Sequence, residues 1–263
     1  MRMHNPVFRI RNKFDQYFLK DKNIAKKIVK ILSFQDYDSV VEVGPGLGIL
    51  TQYLLNYRNN IFLIEIDGEL ISFLRKNFSI SRNRIIHKDF LKWSPEEVNL
   101  RKFAIIGNFP YSISSKILFH ILRYNQYIPE CVGMFQKEVV KRITSHAGEK
   151  TYGILSVLIQ TFYEVKHIFT VTKKVFYPIP NVKSAVVFLR KKNNPLHCDK
   201  DLLFKCVKTA FNQRRKKLRN SLQLFKHLPN FYDISFLNKR AEELSVKEFL
   251  KLTKEIEIRI GYD

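Results

Sequence analysis

A short apolar segment that runs into a glycine-rich turn restricts the fold of this chain more than any other feature. Residues 40–43 read VVEV, and Gly44, Gly46 and Gly48 alternate with other residues directly after them. Glycine reaches backbone angles that side chains disfavour and has no Cβ, so such a turn can approach a ligand closely. The pattern predicts a buried strand, a ligand-binding turn and the start of a helix, as in α/β nucleotide-binding domains.

Apolar segments around this turn alternate between strand and helix periodicity over the first 190 residues. We predict strands at 39–43, 61–66, 84–87, 103–107, 131–136, 161–169 and 185–189, and helices at 24–32, 49–55, 70–78, 114–123, 136–145 and 153–160. Such alternation is typical of a parallel sheet with helices on both faces.

The polar stretch 190–200 interrupts this alternation, and the remaining sequence is predicted to be helical at 200–223, 235–243 and 246–254. Ser245 and Glu248 have the spacing of a capping box at the start of the last helix. We therefore expect an α/β domain over residues 1–190 and a smaller helical domain over residues 191–263.

The acids near the glycine turn indicate which ligand it holds. The spacing is G-x-G-x-G rather than the G-x-G-x-x-G of dinucleotide sites, and Glu42 stands two residues before Gly44. A carboxylate there is unfavourable beside a pyrophosphate but favourable beside the ammonium and sulfonium of S-adenosylmethionine. Glu65, after the next strand, can accept both ribose hydroxyls, and Asp89 can accept from the adenine amino group. The alternative is a tight structural turn with surface acids.

A tetrapeptide after the fourth predicted strand suits methyl transfer to an exocyclic amine. Asn108-Phe109-Pro110-Tyr111 has the form (Asn/Asp)-x-Pro-(Tyr/Phe). The side-chain oxygen of Asn108 and the carbonyl of Pro110 can accept both N–H bonds of an adenine amine, and Tyr111 can stack on the base. The reaction then depends mainly on alignment. The alternative is a turn that ends the strand, because proline restricts the preceding residue to extended geometry.

The net charge favours a polyanionic partner. Lys+Arg 46 against Asp+Glu 24 gives +22, and residues 211–220 hold five basic and no acidic side chains. Nucleic acid is the polyanion that such a field attracts first. A lysine-rich proteome is the alternative explanation for the overall charge.

Other features restrict the class of protein. The first residues lack the apolar core of a secretory signal, and no apolar stretch is long enough for a membrane span. Cys131, Cys198 and Cys206 lack disulfide or zinc spacing, and the seven histidines lack metal-ligand spacing. We therefore expect a cytoplasmic protein with no membrane segment and no metal.

With these motifs in place, nearly the whole chain resembles the KsgA family of small-subunit ribosomal RNA adenine dimethyltransferases. The resemblance implies a Rossmann-like class I S-adenosylmethionine-dependent methyltransferase domain with a small C-terminal helical domain. It rests on FDQYFLKD at 14–21, VVEVGPGLGILT at 40–51, IIGNFPYSISSKILFHIL at 105–122, MFQKEVVKRI at 134–143, YGILSV at 152–157, FYPIPNVKSAVV at 176–187 and AFNQRRKKLRNSL at 210–222.

The resemblance also implies roles for particular residues. Those that would bind S-adenosylmethionine are Tyr17, Leu19, Gly44, Gly46, Glu65, Asp89 and Asn108. Phe176 would stack on the target base opposite Tyr111 and complete a catalytic set with Asn108 and Pro110. The residues that would face RNA are Gln213, Arg214, Arg215, Lys216, Lys217 and Arg219.

The implied substrate is a pair of adjacent adenosines in the 3′-terminal hairpin of small-subunit RNA, presented to a monomeric enzyme by an immature 30S-type subunit. The family's usual Gly-Gln-Asn-Phe-Leu is replaced here by Asp15-Gln16-Tyr17-Phe18-Leu19, and an Asp-Ser pair by Lys183-Ser184. Three alternatives remain: an RNA-binding assembly factor on a methyltransferase scaffold, a large-subunit RNA methylase, and a nicotinamide enzyme.

Overall fold

The computed structural model describes residues 16–57, 60–193 and 196–261. The strands of these residues are β1 (Phe18–Leu19), β2 (Ser39–Val43), β3 (Asn60–Glu65), β4 (Ile85–His87), β5 (Phe103–Asn108), β6 (Glu130–Gln136), β7 (Tyr163–Val171), β8 (Phe176–Tyr177) and β9 (Ser184–Lys191). The α-helices are α1 (Lys22–Val29), α2 (Thr51–Leu54), α3 (Gly68–Asn77), α4 (Ser114–Arg123), α5 (Lys137–Thr144), α6 (Ile154–Phe162), α7 (Lys200–Asn212), α8 (Leu218–Ser221) and α9 (Val246–Ile260).

Seven strands form the central sheet, in the order β4-β3-β2-β5-β6-β9-β7. Strands β4, β3, β2, β5 and β6 pair in parallel, whereas β9 pairs antiparallel with both β6 and β7. The predicted parallel sheet is therefore present over β4, β3, β2, β5 and β6, and β9 departs from it. The residues between β8 and β9 are too few to form a crossover helix. β9 therefore starts at the edge of the sheet where β6 ends, and it runs alongside β6 in the opposite direction.

The central strands β2, β5 and β6 bury almost every side chain because helices cover both faces of the sheet. All five residues of β2 are buried, as are the first five of β5. Continuous β-branched and aliphatic sequence is the usual pattern for such strands. Since the carboxyl ends of β2, β3, β4 and β5 meet at one edge, the turns that follow them lie together there, as expected of a ligand site in an open α/β sheet.

A two-stranded ribbon lies outside the central sheet and was not predicted from the sequence. β1 pairs antiparallel with β8, with Phe18 opposite Tyr177 and Leu19 opposite Phe176. The main-chain N–H of Lys20 also donates to the carbonyl of Val175 at 2.8 Å. This pairing holds residues 16–19 across the edge at which the parallel strands end.

The helical region beyond β9 packs directly on the α/β region. The buried side chains of α7 and α9 belong to the same hydrophobic core cluster as those of α4 and α6. Lys200, at the start of α7, donates through Nζ to the carbonyl of Leu122 and to Oδ1 of Asn125, both at 2.9 Å. The two predicted domains therefore share a continuous apolar core, and the boundary near residue 190 remains a prediction.

The predicted helix over 200–223 is wrong in its second half. α7 ends at Asn212, the next residues form turns, and the four-residue α8 follows. Lys217 forms an isolated bridge with Arg240 instead of continuing the helix. The predicted helix over 235–243 is likewise replaced by turns and a 3₁₀ helix, whereas α9 begins with the predicted capping box of Ser245 and Glu248. In the described part of the chain, no helix is long and apolar enough to cross a membrane.

Candidate functional site

A cavity of about 520 Å³ opens at the carboxyl edge of the parallel strands. It joins the glycine turn after β2 to the tetrapeptide after β5. Among the predicted site residues, its lining includes Tyr17, Leu19, Gly44, Gly46, Glu65, Asp89, Asn108, Pro110 and Tyr111. Phe176 and the basic residues at 213–219 do not line it.

The glycine turn has the backbone that its sequence predicts. Gly44 and Gly46 have φ angles of +64° and +56°, a region that strongly favours glycine. A Cβ at Gly46 would lie only 3.0 Å from the ring of Phe18, which packs against the turn. Residues 16–19 and the turn therefore form one compact wall of the cavity.

Glu65 connects the end of β3 to the glycine turn. Its carboxylate is buried and accepts hydrogen bonds from the N–H groups of Gly46 at 3.2 Å, Ile66 at 2.9 Å and Asp67 at 3.1 Å. Burial raises the pKa of this carboxyl, and the three backbone donors partly offset that rise. A carboxylate has lone pairs beyond these three contacts, so it can also accept from ligand hydroxyls.

The adjacent part of the cavity suits a planar polar ring. Asp89 accepts the N–H of Leu91 through Oδ1 at 2.9 Å, which fixes the carboxylate at the cavity wall. Ile66 is exposed although it is apolar, Phe90 is buried, and both line the cavity together with Asp89. A carboxylate in such a lining can accept from an amino group while the ring packs against the apolar side chains.

Glu42 is a buried acid below the glycine turn. It is almost fully enclosed, lines the cavity and accepts the hydroxyl of Thr51 at 2.7 Å. Burial raises the pKa of Glu42 to about 8, and the nearby Glu65 carboxylate adds to the rise. A cationic ligand would favour the ionised form of both acids. This wall therefore fits the ammonium and sulfonium of S-adenosylmethionine better than a pyrophosphate.

The raised pKa of Glu42 predicts a pH dependence of stability. Between the ordinary glutamate pKa of 4.5 and the raised pKa of about 8, Glu42 holds a proton in the folded chain that the unfolded chain releases. The free energy of unfolding therefore falls as the pH rises through this window. We expect Glu42→Gln to reduce that slope, measured by urea denaturation at pH 5, 6, 7 and 8. The exposed Glu164→Gln is the control, and an unchanged slope in Glu42→Gln would contradict the assignment.

Asn108 is held in one orientation by the main chain of residue 17. Its Nδ2 donates to the carbonyl of Tyr17 at 2.7 Å. The Oδ1 atom is therefore the part of the amide that can accept from a ligand. The replacement of the family's usual Asn by Tyr17 leaves this contact possible, because it is made by a main-chain carbonyl that any residue supplies.

Tyr111 is fixed from two sides. Its ring stacks on that of Tyr17, with centroids 5.0 Å apart, and its hydroxyl is hydrogen-bonded to Oγ of Ser184. Only 7% of Tyr111 is exposed. The carbonyl of Pro110 accepts from the hydroxyl of Ser114 at 3.3 Å and retains a second lone pair. Phe109 is buried in the core, where its ring contacts that of Phe135.

The expected role of Phe176 does not fit its position. Phe176 is completely buried in the core that includes Leu19, and it does not reach the cavity lined by Tyr111. Successive side chains of a strand point to opposite sides, so in β8 it is the neighbouring Tyr177 that faces outward.

The basic cluster is divided between structural and exposed side chains. Arg214 is half-buried, pairs with Glu242 at 2.5 Å and donates to the carbonyl of Lys150 at 2.8 Å, so its main contacts are within the protein. The exposed members of the predicted RNA-facing set are Gln213, Arg215, Lys216, Lys217 and Arg219. The prediction that all six face RNA is thus not supported at Arg214.

Sequence reasoning missed several lining residues. Phe18, Ile66, Phe90 and Lys116 line the cavity without belonging to a polar motif. Two of them could have been found from the sequence by their positions after the strands. Ile66 directly follows Glu65, and Phe90 directly follows Asp89. Ser184 had no such signal, because only the three-dimensional packing brings β9 beside Tyr111.

Comparison with known proteins agrees with this geometry. The family described as ribosomal RNA adenine dimethylase matches residues 7–257. The ribosomal RNA small subunit methyltransferase A of Flavobacterium johnsoniae is 50% identical over 244 residues, which cover 92% of this chain and 94% of that protein. The protein of the same name from Cytophaga hutchinsonii is 50% identical over 249 residues, covering 90% and 93%.

Solved structures show the same fold. A dimethyladenosine transferase from Plasmodium falciparum has a TM-score of 0.79 at 26% identity, covering 92% of this chain and 98% of that chain. The 23S rRNA methyltransferase ErmE has a TM-score of 0.67 at 24% identity and shares the fold. The α/β architecture is that of class I methyltransferases. The chain therefore belongs to the ribosomal RNA adenine dimethylases, a family of S-adenosylmethionine-dependent methyltransferases.

Proposed function

We propose that this chain transfers methyl groups from S-adenosylmethionine to N6 of two adjacent adenosines in the 3′-terminal hairpin of small-subunit (16S) ribosomal RNA. The observation that carries the proposal is the single cavity that joins Asn108 and Pro110 to Gly44, Gly46 and Glu65. Family membership and the small-subunit names of the two 50% identical relatives support the choice of RNA.

The cofactor would be held by groups that suit each of its parts. Glu42 and the glycine turn lie where a cationic amino-acid end gains most, Glu65 can accept the ribose hydroxyls, and Asp89 can accept the adenine amino group. The bound cofactor supplies an electrophilic methyl group on a positively charged sulfur.

The residues of the chain then align the acceptor amine. Oδ1 of Asn108 and the carbonyl of Pro110 accept its two N–H bonds, which turns the nitrogen lone pair away from the ring. Tyr111, fixed by Ser184, sets the plane of the base. No strong general base is required, because the amine becomes acidic once it is methylated. For the second transfer, one acceptor suffices for the remaining N–H.

The substrate is proposed to be the RNA of an immature 30S-type subunit, bound by a monomer in the cytoplasm, where such subunits assemble. We assign methyl transfer to residues 1–190 and part of the RNA binding to residues 191–263. The second assignment is supported by the exposed cations Arg215, Lys216, Lys217 and Arg219. None of these four forms an ion pair with another described residue within 4.0 Å.

These four cations predict a salt-dependent contribution to binding. Each phosphate contact adds about 0.7 to 0.9 to the slope of log affinity against log salt concentration. Replacing Arg215, Lys216, Lys217 and Arg219 by glutamine should therefore lower the slope by up to about 3. Filter binding to small subunits from 50 to 200 mM salt measures it. Arg214→Gln loses contacts within the protein, so it should instead lower the thermal stability. An unchanged slope in the quadruple variant would contradict contact of these four residues with RNA.

Product analysis tests the proposed function itself. The protein is incubated with methyl-labelled S-adenosylmethionine and either immature small subunits or large subunits, and the nucleosides are separated by mass. We expect N6,N6-dimethyladenosine in small-subunit RNA, at two neighbouring positions near its 3′ end. Label in large-subunit RNA alone would favour the large-subunit methylase, and binding without label would favour an assembly factor.

A further inference from the structure

An exposed apolar surface lies beside the cavity, on the loop of residues 172–183, which we name the Tyr177 loop. Three of its apolar side chains are exposed: Tyr177 is 55%, Ile179 63% and Val182 43% exposed. We call these three residues the Tyr177 patch. Large apolar side chains gathered at one exposed place usually mark a binding surface.

The Tyr177 loop is fixed to the active site at both ends. In β8, Tyr177 lies opposite Phe18, whose ring packs on the glycine turn at Gly46. At its other end the loop runs into Ser184, whose hydroxyl is bonded to that of Tyr111. A ligand on the Tyr177 patch would therefore lie next to a base held by Asn108 and Tyr111.

Hydrogen bonds to main-chain carbonyls hold the backbone of the Tyr177 loop, which carries the exposed side chains. Nζ of Lys173 donates to the carbonyl of Asn181 at 2.6 Å. The N–H of Lys137, at the start of α5, donates to the carbonyl of Lys183 at 2.9 Å. Because the backbone is held at these points, a ligand would meet a largely preformed surface.

The charge around the Tyr177 patch selects the ligand class. No aspartate or glutamate stands between Glu164 and Asp199, while Lys173, Lys174 and Lys183 border the patch in sequence. Lys174 and Lys183 are exposed, and neither lies within ion-pair distance of a carboxylate of the described residues. Exposed aromatic and apolar groups among unpaired cations are the combination that binds unpaired nucleotides, since bases stack while phosphates meet lysine.

We propose that the Tyr177 patch binds an unpaired nucleotide that neighbours the target adenosine, with Tyr177 stacked on its base and Lys174 and Lys183 near its phosphates. This inference rests on the proposed function, because it assumes an RNA substrate. It gives the role of a second stacking aromatic, beside Tyr111, to the exposed Tyr177, whereas Phe176 is buried in the core.

Equilibrium binding to immature small subunits tests the proposal. Tyr177→Ala should weaken binding about 5- to 100-fold, as expected for loss of one stacked base. Tyr177→Phe keeps the ring and should bind within about threefold of the unchanged protein, because stacking needs no hydroxyl. Tyr232→Ala is the matched control, since Tyr232 is 65% exposed in the helical region. Tyr232→Ala should leave both RNA binding and the rate of methyl transfer at saturating RNA within about twofold of the unchanged protein.

The occupant of the Tyr177 patch can be identified with a benzophenone side chain in place of Tyr177. Irradiation of the complex should give an adduct with an RNA nucleotide beside the target adenosine. An adduct with a ribosomal protein or a second copy of the chain would overturn the proposal, as would equal weakening by Tyr177→Ala and Tyr232→Ala. The binding measurement requires no methylation. A lack of methylation by the unchanged protein would therefore count against the proposed function, and the binding of RNA by the Tyr177 patch could still be tested.

Discussion

Replacing Asn108 by alanine is expected to lower the rate of methyl transfer at saturating substrates by about 100- to 1000-fold. The variant loses the oxygen that accepts one N–H of the target amine, and the carbonyl of Tyr17 loses its donor. Loss of that single internal hydrogen bond should weaken binding of S-adenosylmethionine by no more than about tenfold. Single-turnover methylation of immature small subunits measures the rate, and calorimetry measures cofactor affinity.

A matched control separates this effect from a general loss of amide groups. Asn77→Ala removes an exposed amide whose Nδ2 donates to the carbonyl of Phe73 within α3, far along the chain from the tetrapeptide. It should leave both the methylation rate and RNA binding unchanged. If Asn108→Ala kept a rate within a few fold of the unchanged protein, the amine would have to be aligned by other groups.

Replacing Glu65 by glutamine is expected to weaken binding of S-adenosylmethionine at least about 100-fold, because each hydrogen bond to a charged acceptor contributes about 1.5–3 kcal/mol. The carboxylate accepts from Gly46, Ile66 and Asp67 through both oxygens. In glutamine one of these oxygens becomes an NH₂ group that opposes a backbone N–H. The variant should therefore lose a ribose acceptor and disturb the glycine turn together.

The folded state should tolerate this substitution better than the cofactor site does. Burial raises the pKa of Glu65, so the ionised carboxylate is disfavoured in the folded protein and a neutral amide removes that cost. We expect Glu65→Gln to keep its melting temperature within a few degrees while calorimetry shows the loss of cofactor affinity. Glu69→Gln removes an exposed acid at the start of α3 and is the control. Normal affinity in Glu65→Gln would show that the ribose binds elsewhere.

The parallel part of the sheet could be predicted because each strand is buried on both faces. Predicted strands at 39–43 and 103–107 agree with β2 and β5 to within one residue. The antiparallel entry of β9 could not be predicted from periodicity, since a buried strand has the same pattern in either direction. The break after α7 was missed because lysine and arginine favour helices, and only the folded structure shows that Lys217 forms a β-bridge with Arg240 instead of continuing the helix.

The residues that line the cavity were easier to predict than the exposed members of the basic cluster. Glu65 and Asp89 follow strands in a fixed order, so their meeting at one edge of the sheet follows from the topology. By contrast, Phe176 and Tyr177 are adjacent aromatics, and sequence does not tell which one a two-residue ribbon turns inward. The sequence likewise does not distinguish the roles of Arg214 and Arg215. Arg214 pairs with Glu242, which lies 28 residues further along the chain, so only the folded structure shows this contact.

One cavity is proposed to hold the cofactor and to present its methyl group to Asn108. A crystal structure of the protein with S-adenosylhomocysteine, the product form of the cofactor, tests this most directly. We expect the ribose hydroxyls within hydrogen-bond distance of Glu65, the adenine between Ile66 and Phe90 beside Asp89, and the sulfur facing Asn108. A ligand bound outside this cavity, or one whose sulfur is separated from Asn108 by protein atoms, would contradict the account.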